Sequence, residues 1–144
     1  GFIKLIFPNA KIIHCNRSQK DICFSIYKNY FPYRKLDFAY SFKSIIEYYK
    51  LYENLMIHWN QISPKIIYDL QYEKLVEQPN IQIKKLLNYL ELNWEDTCMN
   101  FYKNNRAVNT ASDIQVRKPI YKTSINNWKQ FEKFLPGIFN KLKD

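Results

Sequence analysis

Lys11-Ile12-Ile13-His14-Cys15 is a short apolar run with two adjacent β-branched residues, and Asn16-Arg17-Ser18 follows it with no linker. A run of that length and branching predicts a buried parallel strand. Ser18, with Asp21 three residues on, has capping-box spacing and predicts a helix from there to about Asn29. Ile22, Cys23, Ile26, Tyr27 and Tyr30 recur along it at three and four residues, the period of a one-sided helix. A strand that runs directly into a helix restricts the chain to the α/β class.

The pattern returns downstream. Residues 1–7 read as an apolar helix stopped by Pro8-Asn9, and Ser41 to Gln61 as a long helix with an apolar face of Ile45, Tyr48, Tyr49, Tyr52, Leu55, Met56 and Trp59. Past Pro64, Lys65 to Tyr72 predicts a second strand. Pro79 suits a first helical turn and opens a helix through Leu90. Further helices are expected from about Trp94 to Lys103, around Ile125–Phe134 and after Pro136, whereas 104–121 is irregular and polar. The expected whole is α/β with a parallel sheet flanked by helices, helix-rich in its C-terminal half. At 144 residues it is one domain at most.

Composition narrows the chemistry. Gly1 and Gly137 are the only glycines, which excludes a glycine-rich phosphate loop inside this chain. Lys and Arg number 22 against 13 Asp and Glu, for a net charge of +9, so phosphates, sulfates and acidic partners are favoured. Four of those cations are Arg (Arg17, Arg34, Arg106, Arg117), and these inform most about specific anion binding. Cys15, Cys23 and Cys98 contain no CxxC and suit reduced, buried thiols of a cytoplasmic protein. No metal-spaced His/Cys cluster and no membrane-length apolar run occurs in the sequence. His14 reads as a satisfied imidazole within the strand, His58 as surface or packing, and Glu47 and Glu53 as solvated helix charges. The first residue is Gly and the next six look like the middle of an element, so a piece of a longer protein is expected.

Arg17 leaves the carboxyl end of a strand and Ser18 begins a helix, the edge where open α/β sheets bind ligands. A guanidinium beside a positive helix end suits a doubly charged phosphate. Ser25, eight residues after Arg17, lies about two turns in and could donate its hydroxyl to the same anion. The bland alternative is that Arg17 pairs with Asp21 and Ser25 merely packs. A rival functional reading is a non-enzymatic anion- or nucleic-acid-binding module, against which the lysines are scattered, with Lys84-Lys85 the one adjacent pair.

Three segments in order carry a resemblance. PNAKIIHCNRSQKDICFSIYKNYF resembles the 3′-phosphate-binding strand and helix of sulfotransferases, Arg17 and Ser25 taking the positions that grip the 3′-phosphate of 3′-phosphoadenosine 5′-phosphosulfate. IIYDLQYEKLVEQPNIQIKKLLNYLEL resembles the family's later strand, with Tyr72 against the nucleotide and Lys74 in place of the usual Asp. VNTASDIQVRKPIYKTSINNWKQFEKFL resembles the nucleotide-covering loop of the tyrosylprotein-sulfotransferase-like branch, some bacterial members of which carry tetratricopeptide repeats upstream. Ser112, Gln115, Val116, Lys118, Pro119 and Trp128 take that loop's positions, with Arg117 and Lys122 as further cations for the 3′-phosphate. Asn29 and Asn127 depart from the pattern and remove positive charge.

The resemblance implies a single partial domain over 1–144 of the three-layer, P-loop-NTPase-like type. Within it, 11–30 would bind the 3′-phosphate, 66–90 supply the second strand and helix, and 104–128 cover the nucleotide. It also implies sulfuryl transfer without a metal to an acceptor hydroxyl of protein tyrosine, carbohydrate or a small molecule; no nucleic acid is expected as partner and no membrane segment in this chain. The family's phosphosulfate loop and general base lie upstream of Arg17. No catalytic residue is therefore expected in this chain, which corresponds to the C-terminal half to two-thirds of the catalytic domain and is expected to be inactive alone.

Overall fold

The computed structural model describes residues 1–31, 34–104, 106–107, 113–135 and 137–142. The chain divides into two compact units, Gly1–Cys15 with Tyr68–Lys122 and Asn16–Ile67 with Thr123–Asp144. The described residues form a mixed α/β structure, mostly helical, with one parallel two-stranded sheet.

In the first unit, α1 (Phe2–Ile6) stops short of Pro8, and β1 (Ile12–Asn16) pairs with β2 (Ile67–Gln71). β1 alternates half-buried Ile12 and His14 with exposed Ile13 and Cys15, so it is a half-buried strand rather than the fully buried one its apolar run predicts. Cys15 is thus exposed, against expectation, while all three thiols are free. β2 begins later than expected because Lys65 takes φ 67 in a turn that the Ile66 N–H closes on the Ser63 carbonyl, at 3.4 Å. It also ends earlier, since Tyr72 opens a helix, α4 (Tyr72–Glu77). Gln78 precedes Pro79, where the helical region is disfavoured, and there α4 gives way to α5 (Pro79–Leu90), started by Pro79. α5 is tied to the sheet through Tyr89, whose hydroxyl donates to the Ile12 carbonyl at 3.4 Å and whose ring lies 4.9 Å from that of Tyr68. A 3-10 helix over Asp96–Lys103 and the short α6 (Asp113–Val116) complete the unit.

In the second unit, α2 (Gln19–Lys28) begins as the spacing predicts, with the Asp21 N–H donating to Ser18 Oγ at 3.5 Å. Ser41 Oγ caps α3 (Phe42–Ile62) by accepting from the Ser44 N–H at 3.4 Å. Cys23 and Phe24 of α2 meet Phe42, Ile45 and Ile46 of α3 in the core, which Trp128, Phe139 and Leu142 close from the C-terminal 3-10 turns. Phe139 sits at its centre, 5.0 Å from the Trp128 ring and 5.4 Å from that of Phe42. Of the apolar face expected on α3, Ile45 is buried and Tyr49, Tyr52, Met56 and Trp59 are half-buried, Tyr49 packing against the core, while Tyr48 and Leu55 are more than half exposed. Gly137 supplies a left-handed turn at φ 74 ahead of the Phe139–Lys141 helix.

Candidate functional site

In the second unit, Arg17 stands one residue beyond β1 and immediately before the α2 cap. Its Nη2 donates to the Ser124 carbonyl at 2.5 Å and lies 3.7 Å from Asp21 Oδ2. The pairing of Arg17 with Asp21 is therefore real, and it coexists with the helix N-terminus that could receive an anion. Asp21 is 1% exposed, and its Oδ2 also accepts the Asn126 N–H at 2.8 Å. Capping-box spacing identifies Asp21 only as a first-turn acid, but its carboxylate reaches a residue 105 positions away. Ser25 lies one turn beyond Asp21 along α2 and is half-buried. Lys20 Nζ sits 4.6 Å over the Trp128 ring, adding a cation to the first turn of α2. Arg17, Lys20 and the α2 amides thus place positive charge on one helix end.

In the first unit, Tyr72 and Val76 of α4, Phe101, and Gln115, Val116 and Lys118 line a cavity of about 250 Å³ that continues to Tyr121. That is less than the roughly 300–1,000 Å³ of sites for drug-sized ligands, and is room for one ring system rather than an entire dinucleotide. Its walls are aromatic and aliphatic with one ammonium at the edge. Such a lining stacks a planar base and leaves charged groups at the rim. Arg117 donates from its guanidinium to the Asn104 and Arg106 carbonyls. Lys122 is exposed, and Ser112 lies outside the described residues.

His14 Nδ1 lies 2.5 Å from Asp69 Oδ1 across the two strands, which matches the satisfied imidazole expected there. His58 is exposed against Trp59, ring centroids 5.4 Å apart. Glu53 is less solvated than expected, accepting from Gln19 Nε2 at 3.1 Å. Among the described residues, no group of three or more His, Cys, Asp or Glu could hold a metal ion, and no helix is long and apolar enough to cross a membrane.

The chain's first two-thirds match a known family. The model of the sulfotransferase family covers residues 1–96, which takes in both Arg17 with Ser25 and Tyr72. An uncharacterized protein of Aquifex aeolicus (strain VF5) is 38% identical over 146 residues, covering 100% of this chain and 19% of its own length. The chain thus spans about a fifth of that relative. It belongs to the sulfotransferase family.

Proposed function

We propose that this chain supplies the nucleotide-donor side of a sulfotransferase, of the tyrosylprotein-sulfotransferase-like branch, acting with 3′-phosphoadenosine 5′-phosphosulfate. The 3′-phosphate belongs to Arg17, Ser25 and the α2 N-terminus; Tyr72, Gln115, Val116 and Lys118 belong to the nucleotide. Family membership supports the reaction class. The observation that carries the finer reading is the first-unit cavity. Tyr72 and the 115–118 turn come from two separate sequence matches, one of them beyond the family match, and they line the same cavity.

In the reaction, an acceptor hydroxyl oxygen attacks the donor sulfur. The bond from sulfur to the 5′-phosphate oxygen breaks, and the acceptor's proton passes to a base outside this chain. As in phosphoryl transfer, the protein's work is positioning and charge stabilisation. Arg17 and Ser25 act remotely, using 3′-phosphate binding to align the donor. The acceptor is a hydroxyl of protein tyrosine, carbohydrate or a small molecule, and a tetratricopeptide-repeat region and a cytoplasmic setting fit the bacterial members of that branch.

Calorimetric titration with 3′-phosphoadenosine 5′-phosphate, alongside 5′-AMP, tests the reading. A charge-assisted bond of about 1.5–3 kcal/mol predicts that Arg17→Ala weakens the 3′-phosphorylated ligand by roughly 10–150-fold and leaves 5′-AMP little changed. Equal affinity of the parent chain for the two ligands would sink the proposal.

A further inference from the structure

Asp21 is out of place for an anion site. It buries a carboxylate, 1% exposed, with Oδ2 3.7 Å from the arginine that would hold the anion. By Coulomb's law alone this carboxylate repels the ligand and lowers its affinity. Its geometry does something else. Asp21 Oδ2 takes the Asn126 N–H at 2.8 Å, and Arg17 Nη2, facing that same oxygen, donates to the Ser124 carbonyl at 2.5 Å. One oxygen and one nitrogen thus fasten both ends of Ser124–Asn126 to the N-terminal end of α2, through Asp21 in its first turn and Arg17 just before its cap.

The fastened stretch is held in an unusual conformation. Asn126 has φ 58 and ψ 24, the left-handed region, and directly follows the anchored Ser124-Ile125 pair. The next helical turns carry Trp128, 5% exposed, into the core beside Phe139. An arginine has five N–H donors in one rigid plane, so fixing one edge of that plane fixes the direction of the others.

We propose that Asp21 is the positioning residue of the 3′-phosphate site: it orients the Arg17 guanidinium and locks the 124–126 turn beside it, and this orientation outweighs the repulsion its charge exerts on the ligand. The inference rests on the donor-site reading above. The two opposing effects give the test its sign. If Asp21 only balanced charge, neutralising it would tighten anion binding. If it positions Arg17, neutralising it weakens binding of the 3′-phosphorylated ligand selectively.

The experiment measures the ratio of dissociation constants for 5′-AMP and 3′-phosphoadenosine 5′-phosphate in the parent, Asp21→Asn, Asn126→Val and Arg17→Ala, each checked for a cooperative melt. Asp21→Asn is expected to lower the ratio about tenfold, with 5′-AMP affinity unchanged; a general loss of structure would lower both affinities. Asn126→Val places a β-branched residue at positive φ on an exposed position, loosening the same turn without touching the carboxylate. It is expected to lower the ratio too, and it decides the matter if Asp21→Asn does not fold. A ratio unchanged or raised in the folded variants overturns the positioning role while leaving the donor site intact. A ratio that Arg17→Ala fails to lower overturns the donor-site reading itself.

Discussion

The two units are supported very differently. The Arg17 cluster stands at the N-terminal end of a helix that contributes Cys23 and Phe24 to a core cluster of eight buried residues, from Cys23 to Leu142. The Tyr72 cavity stands on a thinner frame, where Leu70 and Val76 are the buried hydrophobics among the described residues. A charged ligand demands fixed donors, because its binding energy depends on distance and angle. A planar ring demands only apolar walls, which tolerate movement. The unit that would take the phosphate is the one with the rigid support.

The largest effects should therefore fall in the second unit. Phe139 is 1% exposed and touches the rings of Phe24, Phe42 and Trp128. Phe139→Ala should cost about 3–5 kcal/mol in denaturant unfolding. Val76→Ala, removing the equivalent of two methylenes from the first unit, should cost about 1.6 kcal/mol. Comparable costs for the two substitutions would break the contrast.

Thiol chemistry sharpens the same contrast within one molecule. Cys15 is exposed, whereas Cys23 is wholly buried and burial pushes its thiol up to about 11. With a neutral thiol reagent at pH 8, Cys15 should react at once. Cys23 should wait for the second unit to open, roughly a thousandfold or more slower if opening costs upward of about 5 kcal/mol. Mass spectrometry of time points assigns each site, and similar rates at Cys15 and Cys23 would show that the core is not closed.

Legibility followed the range of the interaction. Ser18 with Asp21, Ser41 and Pro79 announced helix starts because caps and first-turn prolines act within four residues, and all three hold. The spacing from Arg17 to Asp21 likewise allowed their pairing to be considered, and it is present. What the local pattern could not contain was the second partner of each: Ser124 and Asn126 lie more than a hundred residues away. The α3 face was legible in most of its residues. Its periodicity marks residues able to be buried: Ile45 is buried and Tyr49, Tyr52, Met56 and Trp59 are half-buried, whereas Tyr48 and Leu55 stay exposed. Tyr72 read as the end of a strand because it continues the alternation of Ile66, Tyr68 and Leu70, although Glu73, Lys74 and Leu75 are good helix formers and carry it into α4.

The subtlest feature is the end of α5, which stops without glycine. Glu91 adopts φ 61 and ψ 33, while the Leu92 N–H reaches the Leu87 carbonyl at 2.9 Å and the Glu91 N–H the Asn88 carbonyl at 3.1 Å. That bond pair is the Schellman arrangement, in which a residue with a Cβ pays roughly 1 kcal/mol for the left-handed turn. Lys11 Nζ, 2.6 Å from Glu91 Oε1, offsets part of this. The bond to Lys11 lowers the Glu91 carboxyl below its ordinary 4.5, and the bond to Glu91 raises Lys11 above 10.5. The carboxylate's share of stability is thus complete above the unfolded value and fades as pH falls through the folded one. The lysine's share is complete below 10.5 and fades as pH rises past it. Glu91→Gly removes both the strain, which is independent of pH, and the pair, which is not. Relative to the parent, Glu91→Gly should therefore be more favourable at pH 3 than at pH 7 in denaturant unfolding, and 1 M salt should erase the difference between the two pH values. A difference that ignores both pH and salt would mean that the pair contributes nothing and that backbone strain alone sets the end of this helix.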